Sequence, residues 1–437
     1  MTPVTVVGAG FAGCEAAWAL ARHGIPVTLR EMKPRKFSPA HHSPDFAELI
    51  CSNSFKASRL ESAAGLLKAE MERLGSLCVP CAKATSVAAG GALAVDRDRF
   101  SALVTEKIRS CPLITVREGE VTEIPDGNVI IATGPLTSEA FSAAIGELIS
   151  TEYLSFFDAA APIVEASSID MDKVFFAARY DRGEGDYINC PFDKESYERF
   201  AQELASAESV ELKEFEKEQF RVYEGCMPIE IMARRGADTM RFGPLKPVGL
   251  RDPRTGHRPW AAVQLRRENE EGTLYNIVGF QTNLKFPEQK RVFSMIPGLE
   301  HAVFARYGVM HRNTFMNSPR LLNADFSLRK DPRIFFAGQM TGVEGYMESA
   351  SSGLIAGIAM ARRLRGLPPL RLPETTMLGA LTRYISSSPT EDFQPMGSNM
   401  GILPPLPEKI KGKAERYGAL AQRAMRDLEQ TLEDLEA

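Results

Sequence analysis

The chain lacks any run of about 18 apolar residues, the length that a membrane-crossing helix requires, so no membrane segment is expected. It also lacks an excess of one charge: 52 Lys and Arg stand against 56 Asp and Glu, a net charge of −4. A global basic field is thereby excluded, although a polyanion needs only a local patch. The seven cysteines are an odd number, with one C-x-x-C and no second pair. A zinc ribbon is excluded, and no His falls at ligand spacing. The first apolar stretch, PVTVV, begins at residue 3 and leaves no room for a secretory leader. Reduced thiols and a cytoplasmic location are therefore expected. There is no internal repeat and no low-complexity stretch.

What is present suits a soluble chain with a sizeable core: 44% of residues are hydrophobic and 25% charged. Length suggests two or three domains at roughly 150 residues each. Residues 3–7 read as a strand, followed by Gly8, Gly10 and Gly13 and by a helix with Ala16, Ala17, Leu20 and Ala21 on one face. Gly24 stops that helix, and IPVTLREM reads as a second strand. Ser58 and Glu61 form a capping-box pattern ahead of a helix that runs to Gly75. A further helix is expected at 96–110, then short strands, an Asp126-Gly127 turn and an apolar strand ending in Thr133-Gly134. A strand, a glycine-rich turn and a long helix return at 333–364. Helices are expected again at 374–388 and 408–437, around a proline-rich irregular segment.

The strand, glycine turn and helix, with Glu31 closing the second strand, are the context that gives G-x-G-x-x-G its meaning. Gly8 permits the tight turn, Gly10 admits a pyrophosphate, and Gly13 lets helix pack on strand, with Ala9, Phe11 and Ala12 between them. The helix N-terminus offers unpaired N–H groups to phosphate, and Glu31 would accept from a ribose hydroxyl. VIIATG, ending at Gly134, and FFAGQMTGVEGYMESASSG, with Gly338 and Gly342, resemble the later nucleotide-contact segments of glutathione-reductase-like flavoproteins. The resemblance implies an α/β fold: a discontinuous FAD-binding Rossmann domain, 1–186 and 315–437, with an α+β domain inserted at 187–314. Gln339 departs from that pattern, where Asp is usual, and this argues against a generic disulfide reductase.

Cys78 and Cys81, in CVPC, are the redox-pair candidates and support an alternative reading as a flavin thiol-disulfide oxidoreductase. They follow Gly75 in what reads as a loop, and a structural role is the expectation. Cys14, Cys111 and Cys190 read as structural thiols. Cys51, in ELICSNSFKA, and Cys226, in EGCMPIE, lie among turn residues, where reactive groups are often presented. From 234 to 312 the chain carries 14 Lys and Arg against 7 Asp and Glu. An excess of that size reads equally as a solvated face and as a surface for a polyanion.

ICSNSFKA, YINCPF, EGCMPIE, RFGPLKPVGL, QTNLKFPEQKRVF, GVMHRNTFMNSP, GQMTGVEGYMESASSG and YISSSPTEDFQPMGSNMGILPPL are spread over almost the whole chain. Together they resemble the folate- and FAD-dependent tRNA (uracil-5-)-methyltransferases of bacteria. The glucose-inhibited-division-A-type flavoproteins, which modify the tRNA wobble uridine, share the fold and are the other tRNA reading. The resemblance implies that methylenetetrahydrofolate donates a one-carbon unit to C5 of the T-loop uridine at tRNA position 54. FAD reduced by NADPH or NADH would carry the carbon and electrons. A thiolate would add at C6, and a base would remove the C5 proton. The family pattern implies Cys226 as nucleophile and Cys51 as general base or partner thiol. It implies Tyr346 as the aromatic beside the flavin ring and His311 as the ring stacked on the pterin. A single histidine reads equally as structural. Arg234, Arg235, Lys285, Lys290 and Arg291 are candidates for tRNA phosphates. The oligomeric state has no signature in the sequence.

Overall fold

The computed structural model describes residues 2–38, 40–149, 154–159, 161–181, 185–210, 227–308, 310–388 and 393–436. Its first layer is a five-stranded sheet in the order Ile334–Phe336, Val129–Ile131, Val4–Val7, Val27–Glu31, Ile114–Glu118. All neighbours are parallel, with Val6 opposite both Leu29 and Ile130, and Phe335 opposite Ile130. Strands Ile334–Phe336, Val129–Ile131 and Val4–Val7 are apolar and largely buried on both faces, as a parallel sheet requires, whereas the edge strand Ile114–Glu118 leaves Thr115 and Arg117 exposed. The Val4–Val7 strand has a later strand on one side and its successor on the other. The chain therefore reverses direction across the sheet at that point, and a crevice opens at the strands' carboxyl ends.

Two helices lie together on this sheet, Phe11–Arg22 and Tyr346–Leu364. Glycine sets their separation. A Cβ on Gly353 would stand 2.0 Å from the Ala12 carbonyl oxygen, and one on Gly357 would stand 2.7 Å from that of Ala16. Only bare backbone on one helix lets the other come so close, and both helices then start at the same crevice.

The second layer is an antiparallel six-stranded sheet in the order Phe175–Phe176, Ile188–Phe192, Ala261–Arg267, Leu274–Ile277, Ile163–Glu165, Phe304–Arg306. It has its own core, with Phe192, Phe200, Phe280 and Phe293 in ring contact along the Lys194–Ser206 helix. Strands 163–165 and 175–176 belong to this layer, so the chain enters it before residue 187. Strands Leu154–Ala159 and Met310–Phe315 pair antiparallel to each other. A three-stranded sheet of Ser54–Ala57, Ala92–Val95 and Ser86–Val87 stands beside the segment carrying Cys51.

Two sequence expectations are corrected. The helix after Cys51 is Ala63–Arg73, and its cap is Ser62, whose hydroxyl accepts from the Gly65 N–H at 3.1 Å. Ser58 instead donates its backbone N–H to Gly91, which ties it to the small sheet and takes the Ser58/Glu61 pattern out of the helix. CVPC is not a loop. Cys78–Ala84 is a helix, because Glu15 accepts the backbone N–H groups of Leu77 and Cys78 at its start.

Glu70, on the Ala63–Arg73 helix, accepts both the Met377 and Leu378 N–H groups at 2.8 Å and so caps the Met377–Ser387 helix. Burial pushes this carboxyl up to about 8, against the downward pull of those two bonds. Its folded-state value thus lies above the unfolded 4.5. The stability tied to the bound proton is complete below 4.5 and is lost as pH rises through 8. Relative to Glu70→Gln, the wild type is expected to lose roughly 2–3 kcal/mol between pH 6 and pH 9, read from paired denaturant titrations. A flat difference across that range would refute the assignment. Gly353→Val is expected to cost at least about 1–3 kcal/mol by overpacking against backbone, measured as a lowered thermal midpoint.

Candidate active site

The crevice begins at the first glycine turn. Gly8 has φ +97°, and its missing Cβ clears the Ala132 carbonyl, which would lie 2.6 Å away. A Cβ on Gly13 would stand 1.8 Å from the Gly8 oxygen. Gly10 differs, since a Cβ there meets nothing within 4 Å. Its bareness faces open crevice rather than protein. No side chain caps the Phe11–Arg22 helix, and no acidic residue occupies its first turn. Glu31 accepts from the Ala9 N–H at 2.7 Å and from the Lys33 N–H at 2.9 Å. Those two bonds brace the turn and leave about half of the carboxylate's roughly four acceptor sites. Gly8, Ala9, Gly10, Glu31, Ala132 and Thr133 line one cavity. Gly10, Phe11, Ala12, Gly134, Gly338 and Tyr346 line a second that shares Gly10, Ala132 and Thr133 with it. An open glycine, an uncapped helix end and a buried acid in one elongated crevice fit a dinucleotide.

At the far end of the crevice stands Cys51. Tyr346 opens its helix there and stacks on Phe11 with centroids 4.8 Å apart. Its hydroxyl accepts from the backbone N–H groups of Ile50 and Cys51, each at 2.8 Å, and lies 3.1 Å from the Cys51 sulfur. A phenol oxygen has two acceptor positions. With both taken by backbone, the hydroxyl proton is left to donate to sulfur. Burial and the neighbouring Cys51 push the Tyr346 hydroxyl up, so it holds that proton. A donor aimed at sulfur favours thiolate over thiol. Arg97 donates to the Leu49 carbonyl at 2.6 Å and to the Cys51 carbonyl at 3.3 Å, and it pairs with buried Glu268. Burial opposes the charge of Arg97, but Glu268 overcomes that and holds it cationic.

Cys51 and Tyr346 form the wall between the crevice and a third cavity of about 520 Å³. That cavity is lined from the first layer by Lys56, Gly345 and Glu348, and from the second by Met232, Arg266 and Asn276. Arg266 donates to the Asn53 side-chain oxygen at 2.9 Å and to Ser52 Oγ at 2.8 Å, which fixes the backbone just after Cys51. Lys56 pairs with Glu348 at 2.9 Å. Burial raises the Glu348 carboxyl, but Lys56 and Ser398 outweigh it and keep it ionised. Arg97, Glu268, Arg266 and Asn276 carried no sequence signal. They are single polar residues that acquire a role only when the two layers meet.

The remaining expected residues are distributed as follows. Cys226 lies outside the described residues. His311 is on the Met310–Phe315 strand, opposite Asp158, and its side chain is outside the described set. Gly342 lines none of these cavities: a Cβ there would stand 2.5 Å from the Phe393 ring, so its bareness serves packing. Arg234 donates to the carbonyls of Ala205 and Ala207. Lys285 pairs with Glu208 at 2.7 Å, and Arg291 pairs with Glu203 and Glu288. Arg235 and Lys290 are exposed. Exposed ion pairs such as these are worth about 0–1 kcal/mol each. Cys78 and Cys81 are buried and line none of these cavities. Burial pushes the Cys78 thiol well up and that of Cys81 to about 11. Buried, raised and away from the crevice, they fit the structural role expected from the sequence. Among the described residues no group of three or more His, Cys, Asp or Glu could hold a metal, and no helix is long and apolar enough to cross a membrane.

Residues 3–368 match the family described as Glucose inhibited division protein A. The chain is 58% identical to the methylenetetrahydrofolate--tRNA-(uracil-5-)-methyltransferase TrmFO of Heliobacterium modesticaldum, over 98% of this chain and 97% of that one. It is 56% identical to the protein of the same name from Enterococcus faecalis, over 99% of both. Among solved structures, Aquifex aeolicus GidA superposes with a TM-score of 0.71 at 16% identity, covering 98% of this chain and 73% of that one. That likeness concerns the fold.

Tyr346→Phe removes the donor to sulfur and leaves two backbone N–H groups without their acceptor. Iodoacetamide alkylation of Cys51 at neutral pH is expected to slow about 3–10-fold, followed by peptide mass spectrometry. Unchanged alkylation would show that the hydroxyl does not govern the thiol.

Proposed function

Because the chain belongs to the methylenetetrahydrofolate–tRNA-(uracil-5-)-methyltransferase family, we propose that it methylates C5 of the T-loop uridine at tRNA position 54. The observation that carries this reading is the placement of Cys51, held by Tyr346 on the wall between a dinucleotide crevice and a second cavity. A thiol at that junction can act on a ring in one cavity while a cofactor reaches it from the other. Identity of 58% to the uracil-5 methyltransferases, against 16% to the GidA structure, favours C5 methylation over wobble-uridine chemistry.

The crevice residues suited to FAD are Gly8, Ala9, Gly10, Glu31, Gly134 and Gly338, with Tyr346 at its reactive end. When bound, FAD supplies the one-carbon relay and the electron pair that turns a methylene into a methyl, with NADPH or NADH as the reductant. The protein's own groups handle the pyrimidine. A thiolate forms a bond to C6, the C5=C6 pair shifts towards C5 and O4, and C5 becomes able to bond to carbon. A base then takes the C5 proton, and the S–C6 bond breaks as the double bond returns. We assign the attack to Cys226 and the proton to Cys51, whose hydrogen bond from Tyr346 suits a group that holds a proton reversibly. The helix Ile229–Arg235, which follows Cys226 closely in the sequence, puts Met232 on the wall of the cavity that Cys51 also lines. The basic segment serves tRNA phosphates, and the target base must leave its loop to enter.

The test uses the flavin-loaded protein, unmodified tRNA transcript and carbon-labelled methylenetetrahydrofolate. Label in 5-methyluridine at position 54 is expected, and its absence there defeats the reading. Cys226→Ala should reduce transfer by at least about 1,000-fold. Retained transfer with Cys226→Ala but loss with Cys51→Ala would exchange the two roles. Parallel runs with NADH and NADPH identify the reductant.

A further inference from the structure

The lining of the third cavity includes one buried polar nitrogen without a hydrogen-bond partner among the described residues. Asn276 is 3% exposed, on the Leu274–Ile277 strand, and its side chain lines the cavity. Its amide nitrogen, Nδ2, is buried and has no hydrogen-bond partner among the described residues. Its cross-strand partner in the antiparallel register is Arg266, which also lines the cavity. The two therefore project together from the second sheet. Arg266 is committed: it donates to Ser52 and Asn53, beside Cys51. Asn276 is not. A buried N–H donor without an acceptor is costly in a finished core. It is understandable where a ligand supplies the acceptor. The cavity, at about 520 Å³, is in the range of small-molecule sites, roughly 300–1,000 Å³.

We propose that Asn276 is the residue that reads the target base, donating through Nδ2 to the C4 carbonyl of a uracil held in this cavity. The assignment rests on the function proposed above. It commits to the pyrimidine rather than to folate because Cys51 lines this cavity, and thiol chemistry acts on the pyrimidine. Uracil presents an acceptor at C4, where cytosine presents an amino donor. Cytosine would set two donors against each other and leave the buried Nδ2 unpaired. Sites built to pair with a substrate group reject analogues lacking it by far more than sites that only measure size. Arg266 anchors the Cys51 segment to the same sheet, so the strand that reads C4 also sets the distance to the thiol.

The experiment compares transcripts carrying uridine, 4-thiouridine or cytidine at position 54, with wild type and with Asn276→Leu and Asn276→Asp. A thiocarbonyl is a weak acceptor. For the wild type, kcat/KM is expected to fall at least about 10-fold from uridine to 4-thiouridine and about 100-fold or more to cytidine. With Asn276→Leu, uridine and 4-thiouridine should become equivalent, both low. Asn276→Asp, an acceptor, should narrow the gap between uridine and cytidine. Flavin absorbance and thermal midpoint identify variants that fail to fold, and the analogue comparison in the wild type is independent of them. Wild-type transfer with full discrimination retained in Asn276→Leu overturns the proposal while leaving the function standing. A raised KM for methylenetetrahydrofolate with unchanged base discrimination assigns the cavity to folate and also overturns it. No transfer to uridine by the wild type defeats the function itself.

Discussion

The structure depends on one close approach of backbone to backbone. Gly353 lies against the carbonyl of Ala12, and Gly357 against Ala16, with no side chain between them. The helices Phe11–Arg22 and Tyr346–Leu364 are separated by more than 320 residues of chain, yet they begin at the same crevice. The first presents an uncapped N-terminus to that crevice. The second presents Tyr346, which stacks on Phe11 and holds the backbone of Ile50 and Cys51. Move the helices apart by one methyl group, and Tyr346 leaves the thiol while Phe11 loses its stacking partner.

A second constraint follows from the first. The segment carrying Cys51 has no regular structure of its own and is fixed from three directions. Tyr346 accepts its N–H groups, Arg97 takes the carbonyls of Leu49 and Cys51, and Arg266 takes the side chains of Ser52 and Asn53. Arg97 comes from the first layer, while Arg266 and Glu268, the partner of Arg97, come from the second. The Cys51 thiol is therefore positioned by the junction of the layers. Buried charge is tolerated there because each guanidinium is paired or hydrogen-bonded, whereas an unpaired one would be strongly unfavourable. The thiols of Cys14, Cys78 and Cys190 sit in the cores instead, where burial first, and nearby carboxylates after it, push them up.

The sequence by itself determined the dinucleotide half of the protein. Gly8, Gly10, Gly13 and Glu31 act within one β-α-β unit, where spacing along the chain and spacing in space coincide, and the late strand–turn–helix repeats that local logic. The motif set also determined the family. Local rules gave way where another segment competed for the same backbone groups. Ser58 had a cap pattern, but its N–H was taken by Gly91. CVPC had a loop composition, but Glu15 from a distant helix supplied the cap that made it helical. Gly342 matched a cofactor pattern, but its space belongs to Phe393. Only the tertiary structure decided the surroundings of Cys51 and the existence of the cavity beyond it. Arg97, Arg266, Glu268 and Asn276 follow no periodicity, because hydrogen bonds between layers depend on where two sheets meet and not on position along either strand. A solitary asparagine in a strand has no meaning in one dimension. Its buried, unpartnered nitrogen beside a thiol is a property of packing.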